Sequence, residues 1–262
     1  MSLKDLEILL AFVFGAIIGS FLNVCIYRLP IKESIAYPGS YCPHCKKPIR
    51  WYDNIPILSY VLLLGRCGAC KARIPLRYFA VEITTGLLLM SLYMVFGPRA
   101  KFFAYSALTC ALMVAAFIDI NTGEIPDEIT LGGTAAGLAV ACAFPAVFDA
   151  VSRMAALKCS VLGILAGGGS IFAMGAMGSL AFKKEAMGGG DVKMMAMVGA
   201  FIGWKLVLLA FFIAPVFGAV VGVFAKVRRG SETIPYGPYL SLGALIAMFC
   251  GNDLIKLLFS GL

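Results

Sequence analysis

The stretch Ala111-Leu112-Met113-Val114-Ala115-Ala116-Phe117-Ile118-Asp119 decides how this chain is read: eight apolar residues in a row end on a carboxylate. Apolar runs recur at roughly 7–27, 78–97, 102–119, 129–148, 158–182, 194–203, 205–225 and 237–258. At about 1.5 Å rise per residue, a helix of about 20 such residues crosses the ~30 Å of hydrocarbon in a bilayer. The sixth run is too short to do so untilted. It reads as a half-helix, or as a continuation of its neighbour across Gly203-Trp204. With 61% hydrophobic and only 14% charged residues, a water-soluble domain of 262 residues has no interior large enough for its apolar side chains. The expectation is an all-α polytopic membrane protein with about eight transmembrane helices, seven being the alternative count. The first run is preceded by Asp5 and Glu7 and lacks a small-x-small cleavage site, so it reads as a retained helix rather than a signal peptide.

Two carboxylates stand out against that background, Asp119 and Asp191, the latter in Met187-Gly188-Gly189-Gly190-Asp191-Val192-Lys193. A carboxylate at the edge of hydrocarbon costs a few kcal/mol or more, so a use or a partner keeps it there. Taken singly, Asp119 reads equally as a side chain snorkelling into headgroups, and Asp191 as the N-cap of the next helix. Taken together, two facing carboxylates hold one proton between them and activate a water. One member takes a proton from water while the other polarises a carbonyl. Gly188, Gly189 and Gly190 let the backbone unwind and approach an extended substrate. Glu124, Asp127 and Glu128, after Asp119, read either as an acidic mouth for a basic substrate or as a polar turn, with Pro126 marking the next helix. Pro235, Gly237 and Pro238 suit a turn and helix start, and are candidate substrate contacts. Glu82 is a carboxylate inside the second apolar run, expected to hydrogen-bond internally or to pair with the polar insert before it. Gly15 and Gly19 form a G-x-x-x-G pattern suited to close helix packing.

The net charge of +8 is unevenly spread. Fifteen of the 22 basic residues fall in 28–77 or in loops on the same predicted side, including Lys183, Lys184, Lys193, Lys226, Arg228 and Arg229. The positive-inside rule then makes 28–77 cytoplasmic, puts the N-terminus outside, and places Asp119 and Asp191 at one membrane face. Anionic lipid headgroups account for this charge, so no nucleic-acid partner is expected.

Residues 28–77 form the one stretch long enough for a soluble unit, between a first helix at 1–27 and a polytopic domain at 78–262. They carry Cys42-Pro43-His44-Cys45 and, after a 21-residue gap, Cys67-Gly68-Ala69-Cys70. Four thiolates in two C-x-x-C knuckles suit tetrahedral zinc and a zinc-ribbon-like insert, and an insert this small needs such a staple. His44 reads as a surface residue. Cys25, Cys110, Cys142, Cys159 and Cys250 lie in or beside apolar helices and behave as small hydrophobes.

Several motifs then occur in order. Gly19-Ser20-Phe21-Leu22-Asn23-Val24 precedes Arg28-Leu29-Pro30, and the two knuckles are joined by Trp51-Tyr52-Asp53-Asn54-Ile55-Pro56. Tyr78 to Glu82 follow, then Ile118-Asp119-Ile120, Ile125-Pro126-Asp127, Gly188-Gly189-Gly190-Asp191-Val192-Lys193 and Ile234-Pro235-Tyr236-Gly237-Pro238-Tyr239. In this order the chain resembles the bacterial type IV prepilin peptidases, membrane aspartyl proteases with a G-x-G-D motif. The resemblance implies that Asp119 and Asp191 are catalytic, and that basic leaders are removed from prepilins and pseudopilins at the cytoplasmic face of the inner membrane. Members with the cysteine-bearing insert also methylate the new N-terminus with S-adenosylmethionine, so that activity is implied here too. Asn121 stands where many relatives carry a further aspartate, which alters local charge without touching the mapped pair. Two rival classes are a transporter relaying protons or cations through the acidic pair and a non-catalytic assembly factor. The motif order and the absence of visible inverted repeats argue against the first, and retention of both aspartates against the second.

Overall fold

The structure, a computed structural model, describes residues 2–182, 187–229 and 235–259. Lys183, Lys184 and Ile234 lie outside them, as do the side chains of Lys226, Arg228 and Arg229. The described chain is helical: α1 (Leu3–Arg28), α2 (Leu58–Leu62), α3 (Leu76–Phe96), α4 (Ala100–Thr122), α5 (Asp127–Ala143), α6 (Arg153–Phe182), α7 (Gly189–Arg229) and α8 (Gly237–Phe259). Six of these, α1, α3, α4, α6, α7 and α8, are long and apolar enough to cross a membrane, while α5 has 17 residues. This is the expected all-α, multi-pass architecture. The runs at 194–203 and 205–225 are two helical segments that meet at a kink at Gly203 (φ 75°, ψ 174°), and both Met195 and Val207 come against Gly167 of α6, so α7 turns there as the half-helix reading expected. Glycine adopts that φ at little steric cost, so one helical segment ends and the next begins without a polar loop between them.

The chain divides into two compact units, Met1–Gly97 and Pro98–Leu262. In the first, α1 opens with a capping box in which Asp5 N–H donates to Ser2 Oγ (3.2 Å) and Ser2 N–H to Asp5 Oδ2 (2.7 Å). It packs on α3 with backbones almost touching. A Cβ placed on Gly15 would sit 2.9 Å from Gly86 Cα, and one on Gly19 2.8 Å from Glu82 Cα. That is the use of the G-x-x-x-G pattern. Between these helices runs the insert, anchored by Arg28 at the end of α1. Although only 3% exposed, Arg28 spends its guanidinium on the Ser34 and Gly39 carbonyls at 2.9 and 3.0 Å. It is therefore an internal organiser as well as a positive charge.

In the second unit α7 packs against α5, α6 and α8, and α8 also lies on α4. The interior is filled by Tyr105, Leu108, Leu112, Ile118, Ile171, Met194, Met195, Met197 and Leu240, all nearly inaccessible. Ser160 is buried too, its hydroxyl satisfied by the Ala200 carbonyl at 2.8 Å.

Candidate active site and metal-ligand cluster

Asp119 lies in the last turn of α4, which ends at Gly123 in the left-handed conformation (φ 72°), whose N–H donates to the Asp119 carbonyl. That cap turns the chain and leaves the Asp119 side chain 5% exposed. Its Oδ2 accepts a 2.8 Å hydrogen bond from the N–H of Gly237, the first residue of α8. The start of a helix has unpaired N–H groups and a positive dipole end, so it is a natural seat for a carboxylate. Gly237 is required there by space: a Cβ would stand 2.8 Å from Asp119 Oδ2 and 3.3 Å from its Cβ.

Asp191 is the third residue of α7, with its N–H on the Gly188 carbonyl (3.2 Å). It is inside the first turn rather than at the N-cap, and its carboxylate reaches back to the Gly188 N–H, so it also caps the helix start from the third position. Its carboxylate is buried and lies within electrostatic range of Asp119. The glycines before it make room: a Cβ on Gly190 would come within 3.1 Å of Ile125 Cβ, in the turn that follows Asp119. The turn after α4 and the first turn of α7 thus touch beside the two carboxylates.

A second clasp joins the same two segments. Lys193 Nζ reaches both carboxylate oxygens of Asp127 at 2.7 Å, across the first turns of α7 and α5. Asp127 is therefore already engaged by a cation of its own chain, whereas Glu124 is exposed. Gly188 and Gly189 are exposed, while Gly190, Pro235 and Pro238 are half-buried. Residue-type reasoning passed over Tyr236. Its phenolic oxygen is buried with no hydrogen-bond partner among the described residues, and its ring lies against Gly218 of α7. Burial and then the Asp191 charge push the phenol up to about 12. The sequence signal was its place between Pro235 and Gly237.

The insert brings Cys42, Cys45, Cys67 and Cys70 together, all four Sγ atoms within 4.8 Å of one another, so they are close enough to bind one metal ion. The knuckles repeat one design. In each, the first cysteine's N–H bonds a carbonyl five residues on (Lys47 at 3.0 Å, Ala72 at 2.8 Å), and its carbonyl accepts from a lysine with positive φ, Lys46 or Lys71. A backbone N–H from Cys70 leads the effects that bring the Cys67 thiol down to about 7, toward the thiolate that metals bind. The Sγ atoms of Cys42 and Cys70 lie 3.9 Å apart. A tetrahedral ion with ~2.3 Å metal–sulfur bonds needs an edge of about 3.8 Å.

Comparison with known proteins adds names to this geometry. Residues 13–96 match the model of the bacterial peptidase A24 N-terminal domain, and residues 106–223 that of the type IV leader peptidase family. A Burkholderia pseudomallei protein named prepilin leader peptidase/N-methyltransferase is 33% identical, across 97% of this chain and 88% of its own. An Aeromonas hydrophila protein of the same name is 33% identical, across 94% of this chain and 92% of its own. An Escherichia coli protein named type 4 prepilin-like proteins leader peptide-processing enzyme is 35% identical, across 92% of this chain and 93% of its own. No solved structure matches the chain. Ordered motifs, helical architecture and near full-length similarity agree: the chain belongs to the type IV leader peptidase family.

Proposed function

We propose that this protein is a membrane aspartyl endopeptidase that removes the basic leaders of type IV prepilins and pseudopilins at the cytoplasmic face of the inner membrane, and that it also methylates the amino terminus so released. The observation that carries the peptidase reading is the arrangement of the aspartates: Asp119 buried and fastened by the Gly237 N–H, with Asp191 in electrostatic range. Two carboxylates so placed do not both stay ionised easily, and one proton is held between them. The ionised member withdraws a proton from water, the protonated one polarises the scissile carbonyl, and the roles reverse as the amine leaves. Gly188, Gly189 and Gly190 on one side and Pro235, Gly237 and Pro238 on the other offer backbone to an extended substrate segment. Exposed Glu124 meets the leader's basic residues, and Asp127 does so in exchange with Lys193.

The substrate's own apolar helix lies in the bilayer, and the N-terminus of the enzyme faces outside. Zinc is the ion that fits the four-cysteine cluster, by ligand type and by the 3.9 Å Sγ separation. It is a structural ion for residues 28–77, which we assign to methyl transfer. S-adenosylmethionine supplies the methyl group.

The test is co-expression of a prepilin with the wild type, Asp119→Asn and Asp191→Asn, following leader removal by mass. Both variants are expected to leave the precursor uncut. Undiminished cutting by either one refutes the dyad, and no cutting by the wild type refutes the peptidase reading. A methyl group is expected on the mature N-terminus made by the wild type.

A further inference from the structure

The insert carries an apolar face that the first unit does not cover. Four of the seven residues from Leu58 to Leu64 are large, apolar and exposed: Leu58 by 50%, Val61 by 53%, Leu62 by 72% and Leu64 by 83%. In α2, Leu58, Val61 and Leu62 stand at i, i+3 and i+4, so they share one face of the short helix. The other face is spent on the unit itself. Ser59 is buried, and the Tyr60 ring stacks on Phe79 of α3 with centroids 5.1 Å apart. Single exposed leucines are ordinary, whereas a contiguous group of them marks a surface that meets something apolar.

The depth of this face is fixed by α3. That helix has 21 residues, about 31 Å at 1.5 Å per residue, against ~30 Å of hydrocarbon to cross. No turn of it is spare. The segment around α2 nevertheless lies beside its first two turns. Phe79 stacks on Tyr60, and Glu82, about 9 Å along α3, accepts the N–H of Ile57 at 2.7 Å. α2 therefore sits at the hydrocarbon edge or below it. Backbone at that depth must find its partners within the protein, and it does. The N–H of Ile55 donates to Ser59 Oγ at 3.0 Å, and that of Ile57 to Glu82. Those of Leu63, Leu64, Gly65 and Arg66 donate to carbonyls of the same segment at 2.8 to 3.1 Å. Two cations follow. Arg66 and Arg73 pair across an isolated β-bridge, both exposed, with no carboxylate of the described residues within 4 Å of either. Arg73 stands three residues before α3, at the level of lipid headgroups.

We propose that Leu58, Val61, Leu62 and Leu64 form an interfacial wedge that enters the acyl chains of the leaflet on the insert's side, while Arg66 and Arg73 hold the phosphates of anionic lipids there. Apolar face below and cations above is the arrangement that an anionic bilayer surface complements. The wedge continues the lipid-facing surface of α3, whose first residue, Leu76, is itself 67% exposed. Part of residues 28–77 is thus membrane-bound rather than solvated. Cys67 follows Leu64 by three residues, so the wedge holds the four-cysteine cluster at the membrane surface.

The chain has two tryptophans, Trp51 and Trp204. With both replaced by phenylalanine, Leu62→Trp places a single fluorophore on the face, and Leu58→Trp a second one in a separate variant, which stands if the first does not fold. The full-length protein is reconstituted into vesicles of phosphatidylcholine and phosphatidylglycerol, with bromine on the acyl chains of one lipid or the other. Brominated chains are expected to quench most of the emission and aqueous iodide little of it. Brominated phosphatidylglycerol is expected to quench roughly twofold or more better than brominated phosphatidylcholine, because the two arginines concentrate anionic lipid beside the probe. Arg66→Gln with Arg73→Gln should erase that preference and leave the acyl-chain quenching in place. Quenching by iodide and not by brominated chains would overturn the wedge. Shielding from both would show that protein covers the face, and would overturn it too. Equal quenching by the two brominated lipids while both arginines are present would overturn the anionic-lipid assignment.

Discussion

Each unit buries a helix-borne carboxylate and fastens it with one backbone N–H: Glu82 by Ile57 at 2.7 Å, Asp119 by Gly237 at 2.8 Å. What surrounds the two bonds differs. Asp119 accepts from the opening turn of α8 and has Asp191 within electrostatic range. Glu82 accepts from a tight turn of the insert and has the Ser20 hydroxyl of α1 as its second partner. A carboxylate next to another carboxylate suits the activation of water. Between neutral donors from the insert and from α1 it suits fastening one segment to another. The lesson is that a buried acid is defined by its second neighbour, since the first, a backbone N–H, is common to both.

The comparison treats the two units as separable chemistries, and the largest expected effect tests that. Structural zinc contributes on the order of 10 kcal/mol to small metal-dependent folds. Cys42→Ser or Cys67→Ser should therefore release the ion and open residues 28–77 to protease while leader removal persists. Metal analysis and limited proteolysis read the first outcome, and a cleavage assay the second. Loss of leader removal in step with the metal would break the separation.

Next in size is the dyad. Asp119→Asn or Asp191→Asn should slow leader removal by roughly 10²–10⁴-fold, the usual contribution of an acid–base group, with metal content unchanged. Gly237→Ala sharpens the point without touching a carboxylate. Its Cβ enters at 2.8 Å from Asp119 Oδ2, so something must shift. A strain of about 1–3 kcal/mol should appear as roughly a five- to hundredfold fall in cleavage, measured on purified enzyme at fixed substrate. The smallest effect belongs to Lys193 and Asp127. Both side chains are substantially exposed, and such pairs are worth about 0.2–1 kcal/mol. Either single charge reversal should lower cleavage by a few-fold at most, and the double reversal Asp127→Lys with Lys193→Asp should restore it. If the double variant is worse than both singles, the pair does not clasp these loops.

Much of this was legible in the sequence because the signals are local. Apolar length gave the helices, C-x-x-C spacing gave the sulfur cluster, and the glycines beside Asp191 pointed to the candidate site. What escaped depends on contacts distant in sequence. The bond from Gly237 to Asp119 joins residues 118 positions apart, and nothing in either neighbourhood shows which carboxylate the glycine serves. Arg28 was counted with the surface charge, because sequence cannot tell that Ser34 and Gly39 turn their carbonyls back upon it. For Glu82 a link to the insert was expected, and Ile57 supplies it. Its strained turn was hidden, since isoleucine is among the last residues one would place at positive φ. Of the two readings of 194–203, the half-helix is the one the kink at Gly203 supports, and its sequence signal was a glycine rather than a polar loop.

That break sets where the Asp191 end of α7 points. Between Asp191 and Gly203 the helix is a rod of about 18 Å at 1.5 Å per residue, ending at the one residue whose backbone leaves the helical ladder. A swing of only ~5° at the pivot carries the tip about 1.6 Å, and near-attack geometry is sensitive to displacements of about 1 Å. The reach of Asp191 toward its partner is thereby set by a torsion angle buried against Cys159 of α6, whose Sγ would lie 2.7 Å from any Cβ at the pivot.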